Sequence, residues 1–183
     1  MLILNEGIFD KPAQPITGLI FLDIDGVLCT NSEFCLPYLE DDNHPFNESC
    51  LRNLESIIDN ANAHIVISSS WRKRDLDWIR GVFKLRGFKY PERIIGETMR
   101  AYQFVEKGCH LPIGRGTEIK AWIDKFILYK EGEGFVNKPV PYVIIDDDRD
   151  MLLTQQYHFI NTDTECGLDY DSSDKCIEIL LGL

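Results

Sequence analysis

A chain of 183 residues is long enough for one well-packed core and leaves little for a second. With 44% hydrophobic and 27% charged residues, no apolar run near the roughly 20 residues of a membrane span and no basic lead in MLILNEGIFDKP, a soluble, cytoplasmic protein is expected. The net charge of −11 argues against a general nucleic-acid coat, and six cysteines without C-x-x-C spacing point to reduced thiols rather than a zinc site.

In chain order, residues 2–4 read as an edge strand, followed by a loop holding Pro12 and Pro15. The stretch that organises the rest is LIFLDIDGVLCT, residues 19–30. Leu19, Ile20, Phe21 and Leu22 have the pattern of a short buried strand. The two-residue period puts Asp23 and Asp25 on one side of its extended continuation. Carboxylates held that close repel and lose hydration, and a hard cation such as Mg²⁺ is the common compensation. An Asp-rich turn would also account for the pair. Gly26 then permits a tight bend.

Residues 29–46, with Pro37, Pro45 and the acidic run Glu40, Asp41 and Asp42, read as an irregular flap. Asn47 caps a helix whose inward face is Leu51, Leu54, Ile57 and Ile58, ending near residues 60–62. Ile65, Val66 and Ile67 form a second buried strand, with Ser68, Ser69 and Ser70 at its end, where α/β sheets bind ligands. A helix over 75–86 buries Leu76, Ile79, Val82 and Phe83 and stops at Gly87. Residues 71–93 hold eight Lys or Arg against three acidic residues, a net of +5 that leaves −16 on the remainder. Such a cluster reads as a solvated helix face, or as a surface for an anionic partner.

Ile94 and Ile95 suggest a short outer strand, and residues 98–112 are loop-like. Thr117 caps a helix with the apolar stripe Ile119, Trp122, Ile123, Phe126 and Ile127. After a linker over 132–141, Tyr142 to Ile145 form a third buried strand running into Asp146, Asp147, Asp148 and Asp150. One short strand and a terminal helix close the chain, with residues 161–167 at the rim of a strand-end site.

The run FLDIDGVL resembles the first motif of the haloacid dehalogenase (HAD) superfamily. I-S-S-S-W-R, G-R-G-T-E-I and I-I-D-D-D resemble its other three, in the expected order. Together they look like small capless HAD domains related to nucleic-acid-repair phosphatases. The resemblance implies an α/β Rossmannoid three-layer sandwich around a central parallel sheet, without a sizeable cap, as one domain over 1–183. It implies that Asp23 is the nucleophile and Asp25 the general acid/base. Ser68, with Ser69 beside it, would hold the phosphoryl oxygens, as would a basic residue at Arg115 or Lys120, with Lys107 a third candidate. Mg²⁺ would be held by Asp23, the Asp25 carbonyl and Asp147, with Asp146 in support.

The implied reaction is phosphomonoester hydrolysis through an aspartyl-phosphate. The gaps over 30–46 and 71–114 are too short for a folded cap, so an open site and a macromolecular substrate are expected: a phosphoprotein, including phosphotyrosine, or a nucleic-acid end. The alternatives are a HAD-like module that binds phosphate or a partner without turnover, and a phosphatase of small metabolites or nucleotides. A receiver-like phospho-acceptor would carry its Asp alone, without the D-x-D-G bend.

Overall fold

The computed structural model describes residues 2–5, 7–39, 44–72, 75–106, 109–128 and 140–183. The acidic run at 40–42, Lys73, Arg74, Lys107 and most of the 132–141 linker lie outside the described residues. In chain order the elements are β1 (Leu2–Asn5), β2 (Ile8–Phe9), β3 (Leu19–Leu22), α1 (Asn31–Phe34), α2 (Glu48–Ala61), β4 (His64–Ile67) and α3 (Leu76–Leu85). There follow β5 (Ile94–Glu97), β6 (Arg100–Glu106), β7 (Cys109–Pro112), α4 (Arg115–Ile123), β8 (Tyr142–Asp146), β9 (Phe159–Asn161) and α5 (Tyr170–Leu181).

β3 is fully buried because it is central: the main sheet has the order β2-β5-β4-β3-β8-β9. All of its pairings are parallel except the short β2 edge, as helical crossovers require. The two faces of β3 enter two cores. Ile20 and Leu22 pack with Leu54, Ile57, Phe83 and Leu180, from α2, α3 and α5. Leu19 and Phe21 pack with Ile119 and Trp122 of α4. Trp122 meets Phe21 edge-on at 5.6 Å and donates its indole N–H to the Ile8 carbonyl at 3.1 Å. The result is the expected HAD-like α/β sandwich, three layers about a mostly parallel sheet, with no large cap among the described residues.

Two expectations change. Residues 98–112 are not a loop: β6 and β7 form an antiparallel hairpin, and β1 pairs with β6 in the register Ile3 with Tyr102 and Leu4 with Ala101. Nor does Thr117 cap α4. The helix starts at Arg115 behind Gly114, and its first amide is capped from another loop, the Arg115 N–H donating to Asp150 Oδ2 at 2.8 Å. A carboxylate there also suits the positive end of the helix dipole. The Asn47 cap is found, its side chain accepting from the Ser49 and Cys50 amides.

Candidate active site

The sheet order reverses at β3: the chain passes from β3 to β4 and β5 on one side, and returns to β8 on the other. Such a switch point opens a crevice at the carboxyl ends of the strands. Registers decide what stands there. Leu22 is level with Ile145 and with Ile67, so the next residues, Asp23, Asp146 and Ser68, sit side by side. The Asp23 amide donates to the Ile145 carbonyl at 3.0 Å and the Ser68 amide to the Leu22 carbonyl at 2.8 Å.

One carboxylate oxygen from each of Asp23, Asp146 and Asp147 lies within 4.8 Å of the others. Asp146 is 0% and Asp23 6% exposed. Burial raises the pKa of both above the usual carboxylate range; the Asp23 charge adds to the rise at Asp146, while Arg115 opposes it at both. Asp146 Oδ1 accepts from the Asp148 amide, but Oδ2 is buried with no hydrogen-bond partner and faces Arg115 Nε only at 3.6 Å. A buried carboxylate oxygen left without a donor, among three converging hard oxygen ligands, fits a divalent cation such as Mg²⁺.

The bend after β3 is built around this cluster. The Ile24 carbonyl accepts from the Val27, Leu28 and Cys29 amides, turning the chain sharply. Gly26 has φ +76°, and a Cβ there would lie 2.4 Å from Asp147 Cγ, so both the turn and the Asp147 carboxylate need glycine. Thr162 joins the two acidic loops, its N–H donating to the Asp146 carbonyl and its hydroxyl to the Gly26 carbonyl, each at 3.1 Å. Asn161 Nδ2 donates to the Asp147 carbonyl at 2.7 Å. The 161–167 stretch therefore ties the site together as well as bordering it.

Asp25 stands apart from the three clustered carboxylates. Trp71 Nε1 lies 3.1 Å from each of its oxygens, and Ser70 Oγ 3.3 Å from Oδ2. Of the two serines expected at the phosphoryl group, Ser69 lies close enough to the Asp23 carboxylate to oppose the rise in its pKa, whereas the Ser68 hydroxyl meets Thr98 Oγ1 at 3.5 Å. Arg115 is brought to the carboxylates. Lys120 is not: its ammonium pairs with Asp124 at 2.5 Å, one turn along the helix and on its outer side. Helical geometry explains this correction, since five positions carry a side chain about 140° around the axis from Arg115.

The basic segment is also corrected. Arg72 is buried against Glu118 at 2.8 Å and donates to the Ser69 carbonyl at 2.6 Å and the Met99 carbonyl at 2.8 Å. Arg80 pairs with Asp10 and Asp77, and Lys89 with Glu55. Much of the +5 charge is engaged within the fold rather than offered to a partner. Ser70 and Trp71 stand at the site without a role assigned from the sequence, where the available signal is their position directly after the second motif's serines; Thr162 falls within the rim expected over 161–167.

A switch-point crevice with strand-end carboxylates beside a D-x-D-G bend defines a HAD-type phosphatase or hydrolase fold. The family model described as "HAD domain in Swiss Army Knife RNA repair proteins" matches residues 19–172, and the chain belongs to that family. Neither the curated proteins nor the solved structures give a significant match. Among the described residues, no helix is long and apolar enough to cross a membrane.

Proposed function

We propose that this protein is a Mg²⁺-dependent phosphomonoesterase that removes the terminal phosphate from an RNA strand. The observation that carries the reading is the convergence of the Asp23, Asp146 and Asp147 carboxylates at adjacent strand ends, with Asp25 held separately nearby. The family description favours an RNA end over a phosphoprotein as substrate.

Asp23, Asp146 and Asp147 would hold the cation, together with the Asp25 carbonyl expected from the superfamily pattern. Bound there, Mg²⁺ supplies charge neutralisation for an incoming phosphoryl group. Asp23 attacks phosphorus: an Asp23 oxygen–phosphorus bond forms and the phosphorus–ester oxygen bond breaks, leaving an aspartyl-phosphate. Asp25 gives its proton to the departing oxygen, so the strand leaves with a free hydroxyl. Asp25 then takes a proton from a water that attacks phosphorus, releasing inorganic phosphate and restoring Asp23. Ser69 and Arg115 hold the phosphoryl oxygens by hydrogen bonding and charge. The side chains of Trp71 and Ser70 keep Asp25 aimed at the ester oxygen rather than at the metal cluster.

The test is hydrolysis of p-nitrophenyl phosphate and of terminally phosphorylated oligoribonucleotides, with Mg²⁺ and with EDTA. Asp23→Asn is expected to lower kcat by roughly 10³-fold or more while circular dichroism stays unchanged. Wild-type turnover by Asp23→Asn, or full activity in EDTA, would overturn the mechanism.

A further inference from the structure

Beside the carboxylates lies a second cavity, of about 240 Å³, between the β6–β7 hairpin, the start of α4 and the loop after β8. Its walls include Ser70, Arg100, Tyr102, Pro112, Ile113 and Arg115. Ser70 links it to the chemistry: the hydroxyl lies 3.3 Å from Asp25 Oδ2, and the carbonyl accepts from Arg100 Nη2 at 3.1 Å. Whatever departs from phosphorus must leave beside the residue that protonates it. If Asp25 is that residue, the departing group lies along Ser70, against this cavity.

The lining matches one kind of departing group. Arg100 brings a guanidinium that forms no ion pair among the described residues. Tyr102 brings a half-exposed aromatic ring, and Pro112 and Ile113 an apolar wall. A cation, a ring and an apolar wall suit a phosphodiester, a base and a sugar. The volume lies below the roughly 300–1,000 Å³ of an ordinary small-molecule pocket, which leaves room for no more than about one nucleotide. Asp148 and Asp150 also line it. Asp150 Oδ2 is taken by the Arg115 amide, while Asp148 is exposed and would repel a further phosphate.

We infer that this cavity is a nucleotide subsite, in which Arg100 binds the phosphodiester next to the terminal phosphate and Tyr102 stacks on the adjoining base. The inference rests on the proposed phosphatase reading for the direction in which the departing group lies, but binding tests it independently of turnover.

The experiment measures fluorescence anisotropy of 3′- and 5′-phosphorylated tetraribonucleotides against Asp23→Asn protein, and in parallel against the otherwise unaltered protein in EDTA. Arg100→Gln is expected to weaken binding of the preferred oligonucleotide about tenfold or more and to flatten the log Kd versus log salt plot by roughly 0.7, the loss of one single-strand phosphate contact. Arg100→Lys should keep the slope. Tyr102→Ala should weaken binding about tenfold without moving the slope, and Tyr102→Phe should restore it. Binding unchanged in Arg100→Gln, or weakened equally for inorganic phosphate, would overturn the subsite. So would a phosphopeptide bound as tightly as the oligonucleotide and with the same dependence on Arg100. A protein that binds RNA through Arg100 yet hydrolyses no p-nitrophenyl phosphate would leave the subsite standing and remove the phosphatase reading. Hydrolysis with no role for Arg100 would do the reverse.

Discussion

Both carboxylate oxygens of Asp25 lie 3.1 Å from the indole nitrogen of Trp71. The indole itself is fixed by rings, with Phe46 at 5.9 Å and Trp78 at 6.3 Å, and the Arg86 guanidinium lies 5.7 Å from its centroid. The N–H of a packed ring, with the Ser70 hydroxyl beside it, therefore sets the direction of the residue proposed to move protons. Trp71→Phe keeps the packing and deletes the donor. A hydrogen bond to a charged group is worth about 1.5–3 kcal/mol, so kcat should fall roughly ten- to a hundredfold with little change in KM. Steady-state kinetics beside a melting curve check this; an unchanged kcat would reduce Trp71 to a packing residue.

Gly26→Ala strikes the turn and the metal cluster together. A non-glycine residue at φ +76° costs about 1–3 kcal/mol, and the new methyl would collide with the Asp147 carboxylate. A loss of about 2 kcal/mol corresponds to a Tm lower by roughly 4–8 °C in a chain of this size. The Mg²⁺ concentration for half-maximal activity should rise about tenfold or more. Unaltered Mg²⁺ dependence would mean that Asp147 does not serve the metal.

Burial raises the pKa of Asp23 and Asp146 above the unfolded value of 3.8, and the Asp23 charge adds to the rise at Asp146. From that value upward, the metal-free folded chain holds more protons than the unfolded one. Stability from these groups is present at acid pH and is lost as pH rises through their folded values. A bound divalent cation offsets the loss, so the gain in Tm on adding Mg²⁺ should be larger near pH 8 than near pH 5. Differential scanning calorimetry at both pH values, with and without EDTA, tests this. A gain independent of pH would argue against the two carboxylates as ligands.

The Arg72–Glu118 pair is buried on both sides. Arg72→Met would leave Glu118 charged and without its partner, at a cost of about 3–5 kcal/mol. Adding Glu118→Gln removes the orphaned charge while leaving an oxygen for the Ala101 amide that Glu118 Oε1 now accepts. The double variant should melt higher than Arg72→Met alone. Chemical denaturation of the two variants measures the difference; equal stability would mean the pair is not coupled.

Much of the candidate site is legible in the sequence because its signals are local. Strands buried on both faces read as continuous apolar runs, and Leu19–Leu22, Ile65–Ile67 and Tyr142–Ile145 each ran straight into the polar residues that the sheet then aligned. What failed depended on distant partners. The β6 strand looks like a loop because its outer partner is β1, nearly a hundred residues earlier in the chain. The start of α4 was misread because its capping carboxylate comes from Asp150, 35 residues later. Arg72 looked like one surface charge among eight until Glu118, 46 residues on, was packed against it. Periodicity along the chain carries none of that information.

The pairing of β1 with β6 also imposes an order on assembly. Leu4 meets Ala101 and Ile3 meets Tyr102, so the first strand leaves the ribosome nearly a hundred residues ahead of its partner. At about 5–20 residues per second it waits roughly 5–20 s without one. By the time the hairpin arrives, β3 and β4 have been synthesised, while Asp146 and Asp147 are still inside the ribosome. The hairpin side of the cavity is thus made before Asp146 and Asp147, and neither the cavity nor the carboxylate cluster is complete until β8 and the loop behind it have joined β3.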